Sequence, residues 1–511
     1  SIINTMKKIT LLFLALLCTI STLELSAQRH KKFSPVKGHR LIFDINHCQD
    51  TVVYLAIHYR EKLMLKDTAY NINNQGIFIF EGDNKYDDGL YTLVSQAKKP
   101  YVNFIIDGEQ NFQFNIDTIG DVRNFQVVNS PQNSEMLRFQ RQSVKAQRQV
   151  NQYQERYKEN QAINNQDSMD YYAQKLKEVN EEMQAFIKDL IEQNPNYLFS
   201  KMQKSYLQIE LPDPPKNPDG TEDSTYLPYY YREHFWDNFD LTDRRFIFIP
   251  SFEPKLKEYF NQVLAYQETD TINKYVDKML AQAYTDSLMY RFLIEWTSGH
   301  FETSKILGHD AVFVHIAKEN QLKGKCKWID EDLMGRYRNR VNGLEPLLIG
   351  KRATELIIPD TNLSDKAEHW HSLYRFSQKP YIVLWFYDPH CPTCKKESEK
   401  LRTVYDSLET IGKRNFDVYA VGSDSDIERW KKYVREKNYP WLNVGGNRAN
   451  VDYLEAYNIY ETGNPAMFII DNRTKNIILN RRIEMSSIPN FLEQYEKIEK
   501  KKAEDALKLQ K

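Results

Sequence analysis

Between residues 39 and 128 the apolar positions come in short alternating runs. Ile77-Phe78-Ile79-Phe80, residues 101–106 and Asn111-Phe112-Gln113-Phe114-Asn115-Ile116 have the two-residue period of strands. Asp107-Gly108, between the last two, is a hairpin signal. This spacing predicts an N-terminal β-sandwich over 39–130. At Ser130-Pro131 the period lengthens, and residues 134–194 read as two long helices broken near Asn164-Asn165, with Ser134 a candidate N-cap. Their Gln-rich faces read as solvated surface rather than a coiled partner seam. A central all-α domain over 131–345 follows. Beyond it the two periods alternate. Tyr381-Ile382-Val383-Leu384-Trp385-Phe386-Tyr387 reads as a strand buried on both faces. Leu401, Val404, Tyr405 and Leu408 mark a helix after it, and later strands fall at 416–421, 466–470 and 477–479. Helices are expected over 423–437 and 451–457 and from 487 onward. This order predicts an α/β/α layer, making the whole chain a multidomain α+β protein.

Chemistry enters at the end of the buried strand. Asp388-Pro389-His390-Cys391-Pro392-Thr393-Cys394 places two cysteines three apart at the start of a helix. There the unpaired N–H groups and the helix dipole favour a thiolate on Cys391. A thiolate attacks disulfides, and a second thiol one turn on resolves the mixed disulfide. The chain has no second cysteine pair to complete a zinc site, and Lys395 stands where haem attachment needs His. No metal and no organic cofactor is expected beyond the Cys391/Cys394 couple. His369 and His371 flank Trp370 without an evident third ligand. The aromatic run 229–239 reads as core packing rather than a client groove.

The stretch Cys391-Pro392-Thr393-Cys394-Lys395-Lys396-Glu397 resembles the active site of the thioredoxin superfamily, closest to the envelope-located TlpA/ResA-like thiol-disulfide oxidoreductases. The resemblance implies a thioredoxin-like domain over 346–496, led in by Glu345-Pro346-Leu347-Leu348-Ile349-Gly350. It implies Cys391 as attacking sulfur and Cys394 as resolving sulfur. It also implies a cis Pro465 against the pair, keeping metals off the thiols, with Asn464 offering its backbone to an incoming peptide. His390, Pro392 and Thr393 border the attacking sulfur, contact client and set the redox poise. Glu397 carries two open readings, acceptor of the Cys394 proton or surface ion pair. Thioredoxin has a buried Asp six residues before its first cysteine, and here that position is Trp385. Residues 39–130 resemble a β domain that precedes thioredoxin modules in exported proteins of Bacteroidetes. Tyr229-Tyr230-Tyr231-Arg232-Glu233-His234-Phe235-Trp236 and Ser304-Lys305-Ile306-Leu307-Gly308-His309-Asp310 resemble a helical domain of unknown function from the same group.

With 511 residues, 41% hydrophobic and 27% charged, the chain has the length and make-up of several globular domains. A net charge of -1 argues against a nucleic-acid surface. Met6-Lys7-Lys8, the apolar run 9–17 and Leu25-Ser26-Ala27 have the three regions of a secretory signal, predicting a signal peptide over 1–27 and a linker over 28–38. Cys18 sits directly behind Leu16-Leu17 rather than behind a small residue, so a lipid anchor is the lesser reading. Residues 497–511 are a charged tail. Export and a reactive pair together predict the periplasm. The partners expected there are disulfide-bearing envelope or secreted proteins and an upstream thiol donor in the inner membrane. Cys48 and Cys326 are expected as buried thiols rather than a bridge. Two other functions stay in view. One is a redox-silent scaffold. The other is a peroxiredoxin-like peroxidase, whose Thr or Ser three residues before the reactive cysteine is here Asp388.

Overall fold

The computed structural model describes residues 36–117, 121–360, 369–446 and 448–509. The expected signal peptide lies outside the described residues. The chain forms two compact units, one of residues up to Tyr266 with Lys278–Phe292, the other of Gln267–Asp277 with residues from Leu293 onward.

The first unit opens with eight strands: β1 (His39–Asn46), β2 (Val52–Tyr59), β3 (Lys62–Tyr70), β4 (Ile77–Gly82), β5 (Gly89–Val94), β6 (Pro100–Ile106), β7 (Asn111–Asp117) and β8 (Gln126–Val128). They make two sheets, β4-β1-β7-β8 and β3-β2-β5-β6, antiparallel except for β1 beside β7. Alternate residues of both sheets meet in one aromatic core around Phe43, Tyr91, Phe104 and Phe114. The Phe43 ring lies 5.1 Å from Phe104 and 5.8 Å from Phe114. This is the sandwich that the alternation predicts. The hairpin is not found, because β6 and β7 belong to opposite sheets. Ile106 and Phe112 feed the same core from its two sides, so the chain must cross between the layers. Asp107 serves the helices instead, accepting from Arg245 Nη1 at 2.8 Å, Gln132 Nε2 at 2.9 Å and Leu198 N at 3.2 Å.

Helix α1 (Pro131–Ala162) starts three residues before the expected cap. Ser130 takes that place, Pro131 opens the first turn, and the Ser134 hydroxyl donates back to the Ser130 carbonyl at 3.0 Å. Asn133 closes on β6, donating to the Ile105 carbonyl at 2.8 Å and accepting its N–H at 2.7 Å. The break falls at Asn164 and Asn165, and α2 (Gln166–Gln193) packs back on α1 through Ala146, Val150, Val179 and Met183. After α3 (Leu198–Ser205) and α4 (Tyr226–His234), Phe235, Trp236 and Phe239 pack with Phe252 of α5 (Phe252–Glu258) and with Tyr259. Phe235 and Phe239 of the aromatic run are core, whereas Tyr230, Tyr231 and Trp236 are half-buried and Tyr229 is exposed.

Helices α6 (Thr269–Ala283), α7 (Ser287–Thr303), α8 (His309–Ile316) and α9 (Glu331–Leu344) follow. The second unit then folds β9 (Ile357–Pro359) and β10 (Trp370–Ser372) into a separate antiparallel pair. Its main sheet has the order β13-β12-β11-β14-β15, formed by β11 (Tyr381–Tyr387), β12 (Phe416–Gly422), β13 (Leu442–Gly445), β14 (Ala466–Asp471) and β15 (Asn476–Leu479). The three strands β11 to β13 run parallel, β14 pairs antiparallel with β11, and β15 pairs antiparallel with β14. Both faces of β11 are buried. Tyr381, Val383, Trp385 and Tyr387 enter one core with Leu401 and Tyr405 of α10 (Pro392–Thr410), while Ile382, Leu384 and Phe386 enter the other with Tyr457 and Ile459. Helix α11 (Ile427–Lys437) starts four residues later than expected, because Asp426 is its cap. Helices α12 (Tyr453–Ala456), α13 (Ile459–Thr462) and α14 (Ile488–Leu509) complete the α/β/α layering. Asn480, just past β15, donates to the Leu347 carbonyl at 3.1 Å, and Arg481 Nη1 to that of Ser304 at 3.1 Å. The helical segment before the sheet is thereby fastened to it.

Candidate active site

The parallel strands β11 and β12 end side by side, with Tyr387 paired to Gly422. Loops leaving the C-terminal edge of such a sheet gather there. After β11 the Asp388 carboxylate accepts the His390 N–H at 2.7 Å, turning the chain through Pro389. The Cys391 N–H donates to the Asp388 carbonyl at 3.1 Å, and α10 begins with Pro392 in its first turn. Cys391 is the N-cap, and its sulfur accepts the Cys394 N–H at 3.1 Å. A hydrogen-bond donor and a helix N-terminus aimed at one sulfur favour negative charge on it.

Cys391 is half-buried, while Cys394 is sealed beneath it. Burial pushes the Cys394 thiol up to about 12, against a hydrogen bond from the Asp388 backbone that pulls the other way. The two sulfurs thus differ in access. His390, Pro392 and Thr393 are exposed around Cys391.

The opposite wall is the turn before β14. Its Asn464–Pro465 peptide is cis, and the Asn464 carbonyl oxygen lies 3.9 Å from Cys391 Sγ. Asn464 Nδ2 donates to Ser423 Oγ at 2.6 Å, and that hydroxyl in turn donates to the Tyr387 carbonyl at 3.2 Å. One serine therefore ties the proline turn to the strand that delivers the cysteines. Next to it, buried Asp424 accepts from Arg429 Nε at 2.7 Å and lies 3.9 Å from His390 Nε2. The Arg429 hydrogen bonds hold the Asp424 carboxyl below the usual carboxylate range. Sequence reasoning missed Ser423, Asp424 and Arg429. The signal was available, since 423 and 424 directly follow a parallel strand adjacent to the cysteine strand.

Beneath the loop the core is aromatic. Trp385, at the position of the absent Asp, is fully buried and donates from Nε1 to Ser398 Oγ at 3.0 Å. The Tyr387 hydroxyl accepts from Trp430 Nε1 at 2.9 Å and donates to Asn443 Oδ1 at 3.1 Å. Trp430 lies flat over Gly422 and Gly445, where an added Cβ would come within 2.1 Å and 2.8 Å of its indole. Glu397 is buried one turn past Cys394, and its Oε1 meets Lys400 Nζ at 3.1 Å. That is the ion-pair geometry, with a different cation from the flanking lysines. His371 Nε2 pairs with Asp360 Oδ2 at 2.9 Å, and no cluster of three metal-ligating side chains occurs among the described residues. No described cysteine is in a disulfide. Cys326 is buried, whereas Cys48 is only half-buried, with its sulfur 3.5 Å from the Tyr101 hydroxyl.

Residues 354–477 match the AhpC/TSA family, and residues 192–342 match a domain of unknown function, DUF5106. Among solved structures, a thioredoxin-like protein from Bacteroides caccae covers 56% of this chain and 99% of its own at 16% identity, with a TM-score of 0.42. A domain of a possible thiol-disulfide isomerase from Cytophaga hutchinsonii is 31% identical over 30% of this chain and 98% of its own, with a TM-score of 0.26. The thioredoxin domain of a thiol-disulfide oxidoreductase from Bacteroides vulgatus is 26% identical over 29% of this chain and 96% of its own, with a TM-score of 0.25. No curated protein matches the chain.

Proposed function

From the premise that residues 354–477 form an AhpC/TSA-type, thioredoxin-like domain of the thiol-disulfide oxidoreductases, we propose that this protein reduces or isomerises disulfides in exported proteins through Cys391 and Cys394. The observation that carries the reading is the asymmetry of the pair. Cys391 is half-buried and holds a backbone N–H on its sulfur, while Cys394 is buried, which pushes its thiol up. Cys391 attacks the client disulfide, and the Asn464 backbone beside Pro465 receives the client chain as an added strand. Cys394 then displaces the client from Cys391. His390, Pro392 and Thr393 form the rim that the client meets, and no cofactor other than the cysteine pair takes part.

The periplasm is the proposed location, supported by the signal-like pattern at residues 6–27. An inner-membrane thiol donor would restore the reduced pair. No described helix is long and apolar enough to cross a membrane. The test is capture. With Cys394→Ala, the protein should accumulate a mixed disulfide at Cys391 with an exported client, and Cys391→Ser should accumulate none. Reduction of a disulfide-linked substrate at background rate by the unaltered protein, with rapid peroxide consumption instead, would replace this reading by a peroxidase.

A further inference from the structure

A backbone that takes an incoming strand must keep its own N–H and carbonyl groups unpaired, so no neighbouring strand can hold it in place. The turn before β14 meets that condition. Its ladder with β11 ends at Phe386 and Ala466, which leaves Asn464 beyond the last rung. Among the described residues the Asn464 backbone N–H makes no hydrogen bond, and its carbonyl oxygen meets only Cys391 Sγ, at 3.9 Å. Something other than the sheet must keep Asn464 beside the sulfur.

Its side chain does so. Asn464 Nδ2 donates to Ser423 Oγ at 2.6 Å, while Oδ1 of the same amide is buried with no partner among the described residues. Ser423 is thus the one polar tether of this side chain. Ser423 is itself fixed twice to a single atom, because its backbone N–H donates to the Tyr387 carbonyl at 2.9 Å and its hydroxyl donates there at 3.2 Å. Tyr387 ends β11, and its phenol is held by Trp430 and Asn443. The next residue, Asp388, takes the Cys391 N–H on its carbonyl at 3.1 Å. A ring closes in this way, from Cys391 through Asp388 and Tyr387 to Ser423, on to Asn464, and back to the Cys391 sulfur. The Ser423 hydroxyl is the link in that ring that joins the two walls of the site.

We propose that Ser423 is a positioning residue for client binding, its hydroxyl holding the Asn464 backbone where a client strand must lie for its disulfide to reach Cys391. This rests on the dithiol reading above. No bond is made or broken at Ser423, which acts through Asn464. The tether therefore matters only to clients that have a peptide backbone to pair. A disulfide without one has nothing for Asn464 to hold, and its reduction is indifferent to the serine.

The experiment compares two substrates of the full-length protein, a disulfide-linked peptide and hydroxyethyl disulfide, turning over with a thiol reductant. In Ser423→Ala the KM for the peptide should rise about fivefold, the worth of one hydrogen bond, with kcat within about twofold of the parent. Ser423→Thr keeps a hydroxyl and should recover most of the loss. Ser423→Ala combined with Asn464→Ala should be no worse on the peptide than either alone, because both remove the same bond. With hydroxyethyl disulfide the loss in Ser423→Ala should stay below about twofold, a contrast that damage to the fold or to the cysteine pair would not give. An unchanged peptide KM in Ser423→Ala, multiplied losses in the double variant, no recovery in Ser423→Thr, or an equal loss on hydroxyethyl disulfide would overturn the proposal and leave the dithiol reading standing. A parent protein that reduces neither substrate would overturn both.

Discussion

The two sheets of this protein bury their strands by different rules, and the difference locates the chemistry. In the N-terminal sandwich β1 and β2 alternate, one face to the shared aromatic core and the other toward the surface. In the C-terminal unit β11 is buried along all seven residues, with separate cores above and below. A sandwich strand has its whole length committed to a partner sheet. A doubly covered parallel strand leaves only its end unspent, and the cysteine pair sits at that end.

Four experiments would break or sharpen this contrast. The largest effect is expected from Cys391→Ser, which should lower disulfide reduction by about 10³-fold or more, read by a substrate-reduction assay. Retention of activity would leave the C-terminal sheet as mute as the sandwich. Next come the matched core truncations Trp385→Ala and Phe104→Ala, each expected to cost about 3–5 kcal/mol in denaturant unfolding. Only Trp385→Ala should also lower turnover per folded molecule, because its indole fastens α10 to β11. Equal losses of turnover would erase the distinction.

Acid should reveal where the regions behave alike. Burial lowers His58 of the sandwich and His300 of the second unit to about 4 each. An unfolded chain takes up those protons below about 6.5. Stability is therefore full above pH 6.5 and falls as pH drops toward 4, by roughly 1–3 kcal/mol per histidine. Melting curves of His58→Gln and His300→Gln between pH 7 and 4.5 should each show a flatter acid limb. Smallest is Asn464→Ala, which removes the bond to Ser423 and should cost about 1 kcal/mol. Its effect should appear as a raised KM for client with a smaller change in kcat, and an unchanged KM would count against a docking role for the turn.

Much of this was readable in the chain because the residues involved answer to local rules. The β11 run, the cysteine spacing and Pro392 in the first turn fix strand, cap and helix with little help from the rest of the fold. Alternation likewise marked β4, β6 and β7. What local pattern could not supply was which sheet each strand joins. Asp107-Gly108 has hairpin composition, yet Arg245, far along the chain, takes the Asp107 carboxylate and the strands part to opposite layers. Ser134 failed as a cap because the helix already starts at Pro131, behind Ser130. The anchoring set of Ser423, Asp424 and Arg429 was hidden for the same reason as the hairpin. Those residues meet the cysteine loop only after β12 pairs with β11.

The indole of Trp430 has a consequence for how this loop can vary among descendants. With Gly422 and Gly445 pressed beneath it, no single exchange at either glycine is tolerated while the tryptophan stays. A smaller ring would free position 422 but not 445, whose added Cβ also meets the Gly422 carbonyl oxygen at 2.8 Å, and it would strip the Tyr387 hydroxyl of its donor. Positions 387, 422, 430 and 445 should therefore drift as one inherited block, in step with each other rather than with the cysteines they support.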